Sequence, residues 1–264
     1  MGELTLIGMG LQDENGLTLR GLNAAKKSDE VYAELYTSIM PGISVQNLQR
    51  LVGKEVGILS RKDLEENAER TILSKAKQKS VALLIPGDPM SATTHIGLVI
   101  SARKQGIQTK LIHSASIVTA AAGVTGLELY KFGRTVTIPS SATNPAPGSV
   151  YGFIKENIRI GLHTLILLDI DNEPLTIPGA IQILLKLEDR MKAGLVTEDT
   201  MLVALARVES PDCIVRADKA RNLKEYDFGR PPYSIVLPGI LHFIEAEALH
   251  LLAGAPQETL GEER

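Results

Sequence analysis

Residues 81–95 read VALLIPGDPMSATTH, and this run gathers the side chains best suited to hold a ligand. A short apolar stretch over 81–85 stops at Pro86-Gly87-Asp88-Pro89. Ser91, Thr93 and Thr94 follow, and then a helical pattern begins. A strand, a tight acidic turn and a hydroxyl-rich helix start are how open α/β sheets build ligand sites at the carboxyl ends of their strands. Two prolines and a glycine fix the turn, and Asp88 is its one charge. The same residues also make a plain turn, with Asp88 bonding its own backbone and Ser91 or Thr93 capping the helix. Spacing alone leaves both readings open.

Two further loops have this character. His113-Ser114-Ala115-Ser116-Ile117 places hydroxyls after a strand and before a helix, where capping is again the plain alternative. Gly8-Met9-Gly10 follows the first strand and invites a dinucleotide reading, but position 13 is Asp13 and the third glycine of G-x-G-x-x-G is missing. The glycines still let backbone approach a ligand closely. The chain has no H-E-x-x-H, no paired cysteines, no G-x-S-x-G and no Walker A, and its five histidines are scattered. No metal site and no protein nucleophile are expected. Such a chain is suited to chemistry carried by a reactive cofactor, with the protein supplying position and a dry site.

The elements that must carry these loops alternate regularly in the first half. Strands are expected at 4–7, 30–34, 56–59, 81–85 and 109–113. Helices are expected at 17–28, 45–51, 63–79 and 93–105. This is the pattern of βαβ units and a mainly parallel sheet. The second half has helices at 117–126, 150–160, 180–192 and 241–252. Its strands at 135–138, 164–170, 201–208, 214–217 and 234–237 are more numerous relative to helices, which indicates a mixed sheet. The reading is α/β with two domains, 1–113 and 114–264. The Pro/Ser/Gly-rich stretch 139–149 reads as a long loop that could cover a site.

With 264 residues, 44% hydrophobic and 22% charged, the composition is that of a soluble globular protein. A net charge of −3, no long basic run and 4% aromatics disfavour nucleic acid as a partner. The start MGELTLIGMG reads as a first strand rather than a signal peptide, and no apolar run reaches the length of a membrane span. Cys213 is the one cysteine, so no internal disulfide forms, which fits a reducing, cytoplasmic setting.

Together, PGDPMSATTH, HSASI, GLELYKFG, GLHTLILLDI, LEDRMKAG, ALARV, DFGRPP and LPG-x-LH-x-x-EAE-x-L resemble the diphthine synthase family. That family belongs to the tetrapyrrole-methylase type of S-adenosylmethionine-dependent methyltransferases. The likeness runs from Leu4 to Pro256. It implies two α/β domains with the cofactor in the cleft between them. The implied reaction is repeated methylation of the amino group of a 3-amino-3-carboxypropyl-histidine on translation elongation factor 2, giving diphthine on the way to diphthamide. S-adenosylmethionine becomes S-adenosylhomocysteine. The chain's size resembles the archaeal form, which stops at the trimethylammonium product and leaves the carboxylate unesterified. A homodimer is implied, with the apolar helices 117–126 and 241–252 as interface candidates.

Carried over by position, the resemblance implies cofactor contacts at Leu11, Asp88, Ser91, Ser116, Ile117, Ile166, Ala206 and Tyr233. Tyr233 stands where relatives show His, a change that a main-chain contact tolerates. A flat, largely apolar adenine suits apolar walls with backbone donors and acceptors, and Asp88 suits a ribose hydroxyl or an amino group. No catalytic residue is assigned, and no essential general base is expected, since the amine can lose its proton before or during binding. The competing readings are a same-fold methyltransferase acting on a tetrapyrrole or RNA, a non-catalytic nucleotide-binding protein, and a dehydrogenase.

Overall fold

The computed structural model describes residues 2–139, 148–170 and 173–260. It divides into two compact units, Met1–Ile117 and Val118–Arg264. The first unit runs β1 (Glu3–Gly8), α1 (Leu19–Lys27), β2 (Glu30–Glu34), α2 (Val45–Val52), β3 (Val56–Leu59) and α3 (Arg61–Glu65). A π-helical turn (Glu69–Leu73) then leads into α4 (Ser74–Ala76), β4 (Ser80–Ile85), α5 (Ile96–Lys104) and β5 (Gln108–Ile112). The strands form one sheet in the order β3-β2-β4-β1-β5, and every pairing is parallel.

The apolar runs of β1 and β4 have a direct cause: both faces of this sheet are covered. Leu4, Leu6, Leu83 and Ile85 pack with Leu64, Ile72, Leu73, Leu98 and Ala102 on one side. Ile7, Ala82, Leu84, Val31 and Ala33 pack with Leu17, Ala25, Leu48 and Val52 on the other. The chain leaves β1 for β2, beyond β4, and later crosses back to β5 on the far side of β1. Strand order therefore reverses between β1 and β4, and a crevice opens outside their carboxyl ends.

Two expected helices differ. The stretch 63–79 is broken rather than continuous. Ser60 and Asp63 form a capping box that starts α3 early. The Asn67 amide then turns to the Lys62 carbonyl at 3.0 Å, and the Thr71 hydroxyl takes the Asp63 carbonyl at 2.7 Å. In the other, α5 begins at Ile96, with His95 at its N-cap making no capping bond. Neither Ser91 nor Thr93 caps it: Ser91 bonds Asp88, and Thr93 donates to the Pro89 carbonyl at 2.7 Å.

The second unit contains α6 (Ile117–Thr125), β6 (Val136–Ile138), α7 (Gly148–Arg159), β7 (Thr164–Leu168), α8 (Ile177–Met191), β8 (Met201–Ala206), β9 (Ile214–Lys219), α9 (Ala220–Glu225), β10 (Tyr233–Leu237) and α10 (Phe243–Ala253). Its sheet, β6-β7-β10-β8-β9, is mixed: β6 and β7 run parallel and the other neighbours antiparallel. Helix α8 starts three residues before the expected 180, because Thr176 caps the Gly179 amide and Pro178 sits in the first turn. Helix α9 was not expected. It follows β9 directly, and its N-cap Lys219 makes no side-chain capping bond. Of the expected covering loop, residues 140–147 lie outside the described residues.

A buried carboxylate fastens this unit. Glu245 is fully buried and accepts from the amides of Glu128 (2.9 Å) and His242 (2.8 Å), from His163 Nε2 (2.9 Å) and from the Lys131 ammonium. His163 Nδ1 in turn accepts from the Gly239 amide at 2.9 Å. Burial pushes the Glu245 carboxyl up, but its donors outweigh this and hold it at about 2. Glu245→Gln is expected to lower the unfolding free energy by about 3 kcal/mol, as breaking a buried ion pair does. The pair's contribution is complete above the ordinary 4.5 and fades as pH falls toward about 2. Urea titrations of both proteins should therefore converge in acid, and an equal gap at every pH would contradict this account.

Candidate active site

At the carboxyl edge of the first sheet the loops after β1, β4 and β5 are tied together. Gly10 and Gly87 exchange backbone hydrogen bonds, Gly87 N–H to Gly10 O at 2.8 Å and Gly10 N–H to Gly87 O at 3.2 Å. Only glycine serves at position 8, since a Cβ there would stand 2.5 Å from the Gly87 carbonyl oxygen. Ser114 Oγ donates to the Gly16 carbonyl at 3.0 Å, closing the third side.

Asp88 organises this edge. Its side chain is buried, with Oδ1 accepting from the Met90 amide (2.9 Å) and Ser91 Oγ (3.3 Å). Oδ2 accepts from His113 Nδ1 (2.7 Å) and the Ser114 amide (3.2 Å). Burial works to raise its carboxyl, but the Met90 amide, His113 and the Ser114 amide prevail and hold it below the usual range. These four donors use the full acceptor capacity of a carboxylate. The turn reading and the site reading thus describe one residue: Asp88 shapes the loops with its side chain and leaves their backbone to face a ligand.

Leu11 and Ile117 are half-buried beside these loops, and Ser116 is buried at the start of α6. The structure therefore gathers Leu11, Asp88, Ser91, Ser116 and Ile117 on three adjoining loops of one sheet edge. Ile166, Ala206 and Tyr233 form a separate group in the second unit. Tyr233 pairs with Ala206, and Ile166 with Ile235 two residues further along β10. Side chains opposite one another, or two apart, share a face. Ile166 and Ala206 point into a core with Ile181 and Leu184, and Tyr233 packs partly on it.

Arg207 follows Ala206 and braces the loop that precedes Tyr233. Its guanidinium donates to the carbonyls of Phe228 (2.6 Å), Asp212 (3.0 Å) and Arg230, and pairs with the Asp212 carboxylate at 2.8 Å. The Arg207 amide donates to Pro232 O at 2.9 Å. The Tyr233 hydroxyl donates to Gly229 O.

A further cluster lies at the β2 and β3 end of the first sheet's edge, and sequence reading missed most of it. Glu34 is the last residue of β2 and is fully buried. It accepts from the amides of Tyr36 (2.9 Å) and Thr37 (3.0 Å) and from the Thr37 hydroxyl. His95 is 2% exposed, with Nε2 3.7 Å from Glu34 Oε1 and no hydrogen bond on either ring nitrogen. Tyr36 stacks obliquely on His95, and the Arg61 guanidinium lies 5.3 Å from the Tyr36 ring centre. An ionisable residue ending a strand whose inner positions are apolar was the available signal.

Residues 3–207 match the family described as Tetrapyrrole (Corrin/Porphyrin) Methylases. The chain is 45% identical to the diphthine synthase of Methanothermobacter thermautotrophicus, covering 96% of this chain and 97% of that one. It is 44% identical to that of Methanocaldococcus jannaschii, over 94% and 98%. A crystal structure of diphthine synthase superposes with a TM-score of 0.89 at 40% identity, covering 97% of this chain and 98% of the other. The chain belongs to the diphthine synthase family. Membership in this family, within the tetrapyrrole methylases, makes it a methyltransferase that draws on a donor of the S-adenosylmethionine type. No helix among the described residues is long and apolar enough to cross a membrane.

For this diphthine synthase family member, Asp88→Asn replaces one acceptor oxygen with an amino group that must face donors. The expected loss is about 2 kcal/mol, the scale of a hydrogen bond to a charged group. It should register as a lower urea midpoint, and an unchanged midpoint would refute the bracing role of Asp88.

Proposed function

We propose that the chain uses S-adenosylmethionine to methylate repeatedly the amino group of a 3-amino-3-carboxypropyl-histidine on translation elongation factor 2. The single observation that carries this reading is 45% identity to a diphthine synthase over 96% of the chain. The loops at the first sheet's edge suit the donor. Gly87 has φ +68°, and a Cβ there would meet nothing nearer than the Ala115 carbonyl oxygen at 3.9 Å. In this reading the donor lies on that open, backbone-bordered side of Gly87.

In this reading the backbone around Leu11, Asp88, Ser91, Ser116 and Ile117 holds the donor, and the side chains of Leu11 and Ile117 give apolar walls. Ile166 and Ala206 contribute main chain, because their side chains are committed to the core. Tyr233 does the same, which tolerates the difference from His in relatives. When bound, the donor supplies an electrophilic methyl group on a sulfonium. The protein's own part is to align the acceptor nitrogen and keep water out. The setting is cytoplasmic, the protein substrate is elongation factor 2, and the chain stops at the trimethylammonium product. The chain forms a homodimer: Phe243, Ile244, Leu251 and Leu252 of α10 are 50–70% exposed, an apolar face suited to an isologous partner.

Elongation factor 2 bearing the aminocarboxypropyl-histidine should gain three methyl groups by mass spectrometry after incubation with the protein and S-adenosylmethionine. A fourth would indicate esterification, and no gain would refute the acceptor. Gly87→Ala should weaken donor binding by about tenfold by calorimetry, because its methyl group enters the proposed donor space. Undiminished affinity would remove Gly87 from the site. In sedimentation, Leu251→Asp should convert the dimer to a monomer, and a monomeric parent protein would refute the dimer.

A further inference from the structure

The buried cluster of Glu34, Thr37 and His95 is not among the residues assigned to the donor, and its geometry resembles a path with two ends. Thr37 is half-buried and forms the outer end. Its hydroxyl donates to Glu34 Oε1, inside the protein. Beyond Glu34 lies His95, nine-tenths buried and more, with two ring nitrogens that no hydrogen bond satisfies. An unpaired buried polar atom costs about 1–3 kcal/mol, so a resting imidazole of this kind calls for a partner in some other state. Glu34 Oε1 stands 3.7 Å from its Nε2. An ionised Glu34 has no proton to offer His95. A protonated Glu34 does.

We propose that Thr37, Glu34 and His95 form a relay that receives the proton an ammonium acceptor must lose before each methyl transfer. This rests on the reading given under Proposed function, and it departs from the expectation, drawn from the sequence, that no general base is essential. The acceptor N–H bond breaks and its electron pair stays on nitrogen. The proton passes to Thr37 Oγ as the hydroxyl's own proton passes to Glu34 Oε1, which then donates toward His95 Nε2. The freed lone pair forms the N–CH3 bond, and the electrons of the S–CH3 bond go to sulfur. Glu34 holds the proton until the methylated acceptor withdraws and then returns it through Thr37 Oγ to solvent, one proton for each methyl gained.

The charged and titratable groups around the relay agree with it. Burial raises the Glu34 carboxyl against the opposing effect of its Thr37 and Tyr36 donors and of Arg61. Burial lowers His95 to about 4 against the influence of Glu65, so His95 is a neutral acceptor near pH 7. Tyr36 is raised by burial, with Glu34 and Glu65 adding to it, so it stays a neutral phenol. Glu34 is thus the member of the cluster able to keep a proton. A base with a raised pKa loses little driving force in taking one.

The test is Thr37→Val, which removes the hydroxyl and keeps the shape, measured against Thr37→Ser. In the intact protein with S-adenosylmethionine and modified elongation factor 2, Thr37→Val should lower kcat about a hundredfold at neutral pH, with KM and donor affinity unchanged. The deficit should shrink as pH rises through the acceptor's own ammonium titration, where the amine loses its proton unaided. Thr37→Ser should restore the rate. Glu34→Gln should show the same pH-dependent deficit, and circular dichroism identifies any variant that fails to fold. A loss equal at every pH, a loss in KM alone, or no loss overturns the relay. A wild-type chain that leaves this acceptor unmethylated refutes the proposed function instead, and the relay falls with it.

Discussion

A carboxylate taken almost out of water must find donors for both oxygens, and Asp88 finds them on separate stretches of chain. Met90 and Ser91 come from its own turn, while His113 and Ser114 come from the end of β5, two strands away. Each bond to a charged acceptor contributes about 1.5–3 kcal/mol. The loops of β4 and β5 are therefore held by one group, and the Gly10–Gly87 bridge adds the loop of β1 between them. The crevice where strand order reverses gains rigid backbone walls from this arrangement. A ligand placed there meets amides and carbonyls already fixed in position, with little ordering left to do on binding.

Glu245, Asp88 and Glu34, three of the buried carboxylates, behave differently, and the difference follows from their donors. Glu245 and Asp88 each accept from two backbone amides, and each also has a cation or imidazole within bonding distance. Both are held below the ordinary range. Glu34 also accepts from two amides, but its third donor is a neutral hydroxyl and its imidazole neighbour stands off at 3.7 Å. Desolvation then prevails and the carboxyl rises. Glu245 and Asp88 serve as permanent anions that fasten segments of chain. Glu34 has the electrostatics of a group whose charge can change.

How much of this was legible in the sequence depends on the range of the interaction concerned. The strands Glu30–Glu34 and Val56–Leu59 stand where periodicity put them, because local alternation and turn residues decide such boundaries. The helix expected over 63–79 failed because a threonine side chain eight residues along captured the carbonyl of Asp63, a contact that a helical pattern does not reveal. The role of Asp88 was half legible. Its turn bonds span two or three residues, while its bonds to His113 and Ser114 span 25 and 26. Ile166 and Ala206 stand in continuous apolar runs and lie in the core, as such runs dictate.

Glu34 was the least legible. In EVYAE, alternation assigns Glu30, Tyr32 and Glu34 to a polar face, which in a half-solvated sheet would be wet. This sheet is covered on both sides, so the face that begins partly exposed at Glu30 ends fully buried at Glu34. A buried glutamate needs an occupation that offsets its desolvation, and three donors from the next turn go only part of the way. The shortfall shows as an elevated affinity for a proton, beside an imidazole with nothing to bond. Structural economy would have favoured a glutamine or an apolar residue at this position. What a glutamate adds is the capacity to take up a proton and pass it on.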